Sequence, residues 1–237
     1  TAEEESGTDC SNKNPDKGAR SLGAWFPNAR VVKTATGAKD GDSCVPKTTS
    51  LLLFYQYVEP KWQQDYADRV ADLVLEVSKE HGLGGRVRVA TEGLNATISG
   101  SLESLRIFAS RLKSFSPASF ASTDFKYVND LPSSRAFKDL KVLPVKALVH
   151  YGIDEAEASI REHGGVHLDP LAYHAKLKQK GTVVIDVRNH YEVAIGRFDG
   201  QQQLKGKGGG ATYLDPKMRR STDFPAWVAK PETKEAL

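Results

Sequence analysis

Cysteine is nearly absent from these 237 residues. Only Cys10 and Cys44 occur, both in a polar opening segment. Two thiols so placed exclude a small disulfide-stapled scaffold, and the sequence leaves open whether they pair. Long hydrophobic runs are also missing. The longest are strand-length, well short of the ~20 residues a membrane helix needs. Neither sign of charge dominates: 33 basic against 30 acidic residues give a net charge of +3. That balance neither demands nor excludes a nucleic-acid partner. Several chemical signatures are lacking too. No His/Cys metal spacing occurs, and His163, His167 and His174 are spaced as surface or capping residues are. "GKGGG" (206–210) has no strand before it and reads as a loop, not a phosphate cradle. No nucleophile sits on a strand-to-helix elbow.

What is present is an ordinary globular composition, 39% hydrophobic and 27% charged, long enough for one large or two ordinary domains. Residues 1–49 are rich in Gly, Ser, Thr, Asp and Lys and read as a flexible tail, in which "AWFPNARVV" (24–32) can dock locally. "SLLLFYQYV" (50–58) reads as a buried strand. Pro60 suits the first turn of a following helix, whose Trp62, Tyr66, Val70, Leu73, Val74 and Val77 recur at helical spacing. "HGLGG" ends that helix with the glycines a left-handed cap needs. "RVRVATEG" alternates, with Val87 and Val89 inward and Arg86 and Arg88 outward. "LNATISG" is a second strand, with Gly93 permitting a tight hairpin. Ser101 caps a helix with a Leu105, Phe108, Leu112, Phe115 seam, and "STDFKYV" and "FKDLKVLPVKALV" supply the last strands. Strand, helix, strand, strand, helix, strand is the split βαβ of a ferredoxin-like (acylphosphatase-like) domain, placed at residues 50–150.

A second unit follows. Asp169 and Pro170 start a short helix in "HLDPLAYHAKLKQKG". Then "TVVIDVRNHYEVAIGRF" (182–198) runs an apolar strand into Asp186, Arg188, His190, Glu192 and Arg197. Polar groups at the carboxyl end of such a strand stand where open α/β sheets place ligand sites. Asp186 and Arg188, two apart, share one side of an extended chain, so a salt-bridged structural turn and a functional pair are both open readings. The overall class is α/β: an α+β ferredoxin-like domain followed by an incomplete α/β domain at 160–237.

"IDVRNHYEVAIGRF" resembles the first signature of rhodanese domains. "FYQYV", "GRVRVATEGLNATISG", "FKDLKV" and "GID", chained with it, resemble the narrower rhodanese-like tRNA uridine hydroxylase family, from about Ser50 to Val228. The resemblance implies a tRNA-modifying oxidoreductase that converts a wobble uridine to 5-hydroxyuridine, with molecular oxygen as co-substrate and no cofactor bound by this chain. It implies a partner in the anticodon region of tRNA and no membrane. It places the reactive cysteine of the family in a loop beyond "FPAWV" (224–228). The chain is therefore expected to be a piece truncated within its rhodanese domain, with no catalytic residue of its own. Supporting roles fall to Asp186, holding loop N–H groups, and to Arg188, pairing a carboxylate such as Glu192 or meeting an anionic substrate. RNA contacts fall to Arg86, Arg88, Lys138 and Lys141, and also to the basic run Lys205, Lys207, Lys217, Arg219 and Arg220. Leu143, Pro144 and Val145 interrupt the basic alternation the family tends to show after "FKDL". Tyr55 and Tyr57 are further candidates, with a core position as the expectation for both. The other readings carried are a thiosulfate-type sulfurtransferase working through a cysteine persulfide, and a non-catalytic RNA-binding or scaffold module.

Overall fold

The computed structural model describes residues 28–33, 48–153, 157, 159–197 and 210–237. The expectations for Cys10, Cys44, Lys205 and Lys207 and the 206–209 glycine loop lie outside the described residues. The chain is α/β. Its main sheet has six strands: β1 (Arg30–Lys33), β2 (Thr48–Tyr57), β3 (Gly84–Ala90), β4 (Gly93–Gly100), β5 (Lys126–Pro132) and β6 (Asp139–Pro144), in the order β1-β6-β3-β4-β2-β5. Helices α1 (Gln64–Glu80), α2 (Leu102–Phe115) and the short α3 (Pro117–Phe120) connect them. The run β5-β2-β4-β3 is the 4-1-3-2 order of a ferredoxin-like fold. β6 adds to it parallel to β3, and β1 closes antiparallel on β6. Part of the segment read as a tail thus contributes a strand, and Arg30 forms an ion pair with Asp72 of α1.

Helices α1, α2 and α3 lie on one face of this sheet. Leu52 and Phe54 of β2, Val87 and Val89 of β3, Leu94, Ala96 and Ile98 of β4, and Leu140 and Val142 of β6 meet Val70 and Val74 of α1 and Leu105, Phe108 and Leu112 of α2. Period-2 and period-3.6 burial together make a two-layer core. Ser101 caps α2 as expected, its hydroxyl accepting from the Ser104 N–H at 3.0 Å. Gly82, at φ +62, ends α1 in the left-handed region. Pro60, however, is not in a helical turn. The chain first tracks the β3–β4 hairpin, with Val58 N–H donating to Glu92 O (2.9 Å) and Trp62 N–H to Thr91 O (2.8 Å), so α1 starts only at Gln64.

The hairpin itself is tight, pairing Ala90 with Gly93 around Thr91 and Glu92. Gly93 has φ +132, and a methyl group built there would stand 2.0 Å from the Gln56 carbonyl oxygen. The glycine is required by the close approach of β2.

After β6 the chain turns back over the sheet's other face. Val145 N–H donates to Val89 O (2.9 Å), Arg88 to Leu148 O (3.3 Å), and Leu148 N–H to the Glu92 carboxylate (2.5 Å). This return buries Leu143 to 4% exposure. It explains why an apolar residue interrupts the basic alternation at that position.

The second unit contains α4 (Ile160–His163), α5 (Pro170–Leu177), β7 (Val183–Ile185), α6 (His190–Ile195), β8 (Thr212–Leu214), α7 (Asp223–Val228) and α8 (Pro231–Ala236). β7 and β8 pair in parallel, making one βαβ unit with α6. β7 is half-buried throughout, less than its apolar sequence suggests. The two units touch through Glu59, whose carboxylate accepts from the Ser159 hydroxyl (2.8 Å) and the Arg161 N–H (2.9 Å). Tyr151 also packs edge-on against Phe224, and the Ser221 hydroxyl donates to His150 O.

Candidate functional site

The face of the six-stranded sheet opposite α1 and α2 follows from the alternation that builds the core. Where Leu52, Phe54, Val87 and Val89 turn in, Leu53, Tyr55, Arg86 and Arg88 turn out. Strand register sorts them into rows. One row reads Val31, Lys141, Arg86, Thr97, Leu53, Lys126 across β1, β6, β3, β4, β2 and β5. The next reads Leu143, Arg88, Asn95, Tyr55 across β6, β3, β4 and β2. Arg86, Arg88 and Lys141 therefore share one surface. Lys138 does not belong to it: it stands exposed just before β6 and outside the paired register.

Tyr55 corrects an expectation. It is 65% exposed, not core, and Leu53 beside it is 47% exposed. Tyr57 is half-buried near the return segment, and burial, with the Glu92 charge adding to it, raises its phenol pKa. The Tyr55 and Tyr57 rings meet edge-on with centroids 6.3 Å apart. Arg88 is anchored by its bond to Leu148 O, whereas Arg86 has no ion-pair partner among the described residues. A shallow hollow of about 600 Å³ along α2 (Leu102, Arg106, Ser110) lies on the helical side of the sheet. The open sheet face is thus a platform and not a pocket, suited to an extended, negatively charged ligand.

The second cluster stands at the end of β7. The Arg188 guanidinium donates to both Asp186 oxygens, Nε at 2.8 Å and Nη2 at 2.6 Å, and the Arg188 backbone N–H adds a longer bond of 3.3 Å. Tyr213 of β8 donates its hydroxyl to Asp186 at 2.7 Å. Arg188 also reaches the Gly196 carbonyl at 2.9 Å. The Arg188 bonds chiefly, with help from Tyr213 and against the opposing effect of burial, hold the Asp186 carboxyl down to about 2. Burial, with the bond to Asp186 adding to it, pushes the Tyr213 phenol up to about 12. Asp186 and its two donors are thus committed to one another, and Arg188 ties the end of β7 to Gly196 at the far end of α6. Arg188 does not pair with Glu192, whose carboxylate accepts from the Asn189 N–H and side-chain amide, each at 3.0 Å, in a capping box at the start of α6. Tyr213, 27 residues from Asp186, was not identified from the sequence; only the parallel β7–β8 pairing brings it there.

Of the remaining basic run, Arg219 and Arg220 direct their N–H groups to Asp223 at 2.9 and 3.0 Å, forming the turn before α7. No group of His, Cys, Asp and Glu among the described residues could hold a metal ion. No described helix is long and apolar enough to cross a membrane.

Residues 49–147 match the family described as the UPF0176 acylphosphatase like domain. The chain is 33% identical over 178 residues to the tRNA uridine(34) hydroxylase of Staphylococcus epidermidis, covering 75% of this chain and 49% of that protein. It is 32% identical over 179 residues to that of Lactococcus lactis, with the same shares covered. Against that of Anaplasma phagocytophilum it is 32% identical over 177 residues, 75% of this chain and 56% of the relative. The chain spans about half the length of the curated relatives it matches. Its resemblance to these enzymes extends over three-quarters of its own length and beyond the ferredoxin-like sheet.

Proposed function

We propose that this chain is part of a tRNA-modifying protein that hydroxylates a uridine of tRNA, and that its ferredoxin-like sheet is the tRNA-binding face. The observation that carries this is the similarity to enzymes named tRNA uridine(34) hydroxylases, found over three-quarters of the chain. The names of those relatives favour hydroxylation over sulfur transfer. On this reading residues 50–150 form the RNA-binding domain and residues 160–237 the N-terminal part of a rhodanese domain. The complete protein takes molecular oxygen as co-substrate and acts at the anticodon. The Asp186–Arg188–Tyr213 cluster is a positioning device that fixes the loop after β7, in the domain where the chemistry takes place.

The sheet face contributes charge and area. Arg86 and Arg88 lie two residues apart on one strand, about 7 Å, close to the spacing of successive phosphates in an extended strand. Phosphate contacts give affinity that falls with salt, by about 0.7 in log–log slope per single-stranded contact. Titrating tRNA at several salt concentrations into the parent and into Arg86→Ala plus Arg88→Ala tests the reading. The double variant should bind more weakly and with a slope flatter by about 1.4. Equal affinities and equal slopes would remove this face from the tRNA surface.

A further inference from the structure

The proposed tRNA-binding face contains one residue whose exposure phosphate binding does not explain. Tyr55 sits on β2 beside β4, just past the last β2–β5 pair (Leu53 with Lys126), and is 65% exposed on the face opposite α1 and α2. Its ring is steadied at one edge by Tyr57. In register beside it are Asn95, half-buried and with no hydrogen-bond partner for its amide among the described residues, and then Arg88. One row thus offers a flat π-surface, an amide that can both donate and accept, and a cation. The adjacent row adds Arg86 and Lys141. A flat aromatic with an unused amide and flanking positive charge matches an unpaired nucleotide. The ring takes the base face, the amide its edge and the arginine its phosphate.

We propose that Tyr55 is a stacking platform for an unpaired base of the RNA, with Asn95 at the edge of that base and Arg88 at its backbone. The proposal rests on the reading of this face as RNA-binding and adds to it a contact to a base, which phosphate attraction alone would not require. A duplex keeps its bases stacked on one another and has no free face to offer Tyr55, so the ligand at this row is single-stranded.

Two polymers separate stacking from charge: polyuridylate, whose bases are largely unstacked, and inorganic polyphosphate, which has no bases. The full chain is titrated with each at several salt concentrations. Tyr55→Ala should lose about 5-fold or more in affinity for polyuridylate, keep its affinity for polyphosphate, and leave the salt slope unchanged. Tyr55→Phe and Tyr55→Trp should bind polyuridylate like the parent, since either ring presents a face. Arg86→Ala plus Arg88→Ala should weaken both polymers and flatten both slopes. Unchanged polyuridylate binding by Tyr55→Ala, or an equal loss on both polymers, would overturn the stacking role and leave the charged face standing. Unchanged binding by the double arginine variant would instead bring down the face. A parent that does not bind polyuridylate would overturn both. Because the Tyr55 side chain is mostly in water, these variants should fold normally, which circular dichroism verifies.

Discussion

Asp186 combines burial with four bonds that all favour its charged form. Only 7% exposed, it accepts from Arg188 and Tyr213. Its carboxyl in the folded chain lies near 2, below the ordinary 3.8. Linkage then sets the sign. A depressed carboxyl adds stability that is complete above about pH 4 and is lost as pH falls toward 2. The contribution is about 1–2 kcal/mol, because Arg188 is half-exposed and water screens the pair. Asp186→Asn should therefore lose about this much at neutral pH. Urea titrations at pH 7 and pH 3 should show the gap between parent and variant shrinking by roughly half at the lower pH. A gap that stays constant would mean that the shape of the carboxyl, and not its charge, matters there. Part of this cluster is legible in the sequence. Two residues at i and i+2 beyond a strand must share a side, and Asp186 with Arg188 does. The Glu192 assignment failed because a local competitor, the N-cap of α6, lies nearer to it than the guanidinium does.

At the scale of elements, alternation was readable where the two faces differ in chemistry and unreadable where they do not. Val87 and Val89 against Arg86 and Arg88 announce which side of β3 is wet. "SLLLFYQYV" conceals the same alternation, because its outward positions, Leu53 and Tyr55, are apolar or aromatic like its inward ones, Leu52 and Phe54. β1 was also hard to foresee, since four residues, "RVVK", form a strand only because β6 offers them a ladder. The tightest local constraint is Gly93 at the start of β4. Gly93→Ala should cost about 2 kcal/mol or more, since the new methyl group meets the backbone oxygen of Gln56 in a conformation alanine resists. Gly82→Ala is the contrast. It also has a positive φ but nothing within 4 Å, so only about 1 kcal/mol should be lost. Urea midpoints for the two variants decide it. Similar losses would mean that β2 and β4 separate readily to admit a side chain.

For the molecule as a whole, one exposed carboxylate links the two units. Glu59 follows β2, and the Arg161 N–H and the Ser159 hydroxyl hold its pKa below the ordinary carboxylate range. The Arg161 guanidinium adds a bond to the Glu59 carbonyl at 2.7 Å. Such surface bonds add little stability individually, yet they fix where Ser159 and the start of α4 lie. Glu59→Ala should leave the urea midpoint of the ferredoxin-like core nearly unchanged while speeding limited proteolysis within residues 159–169 several-fold. An unchanged cleavage rate would show that the Tyr151–Phe224 contact and the Ser221–His150 bond hold the units together without it. How the units dock was not legible in the sequence, because Glu59 and Arg161 are 102 residues apart and neither belongs to a motif.

The position of β1 bears on how the chain is made. Arg30 pairs with Val142, so β1 waits for a partner synthesised more than a hundred residues later. The 4-1-3-2 strands can close before that, through contacts of shorter sequence separation, and β1 must dock last. Until it does, β6 is a bare edge whose unpaired backbone groups offer a template to any other extended chain, including a second nascent copy. β1 therefore protects the sheet from templated aggregation: it seals the edge that β6 would otherwise present.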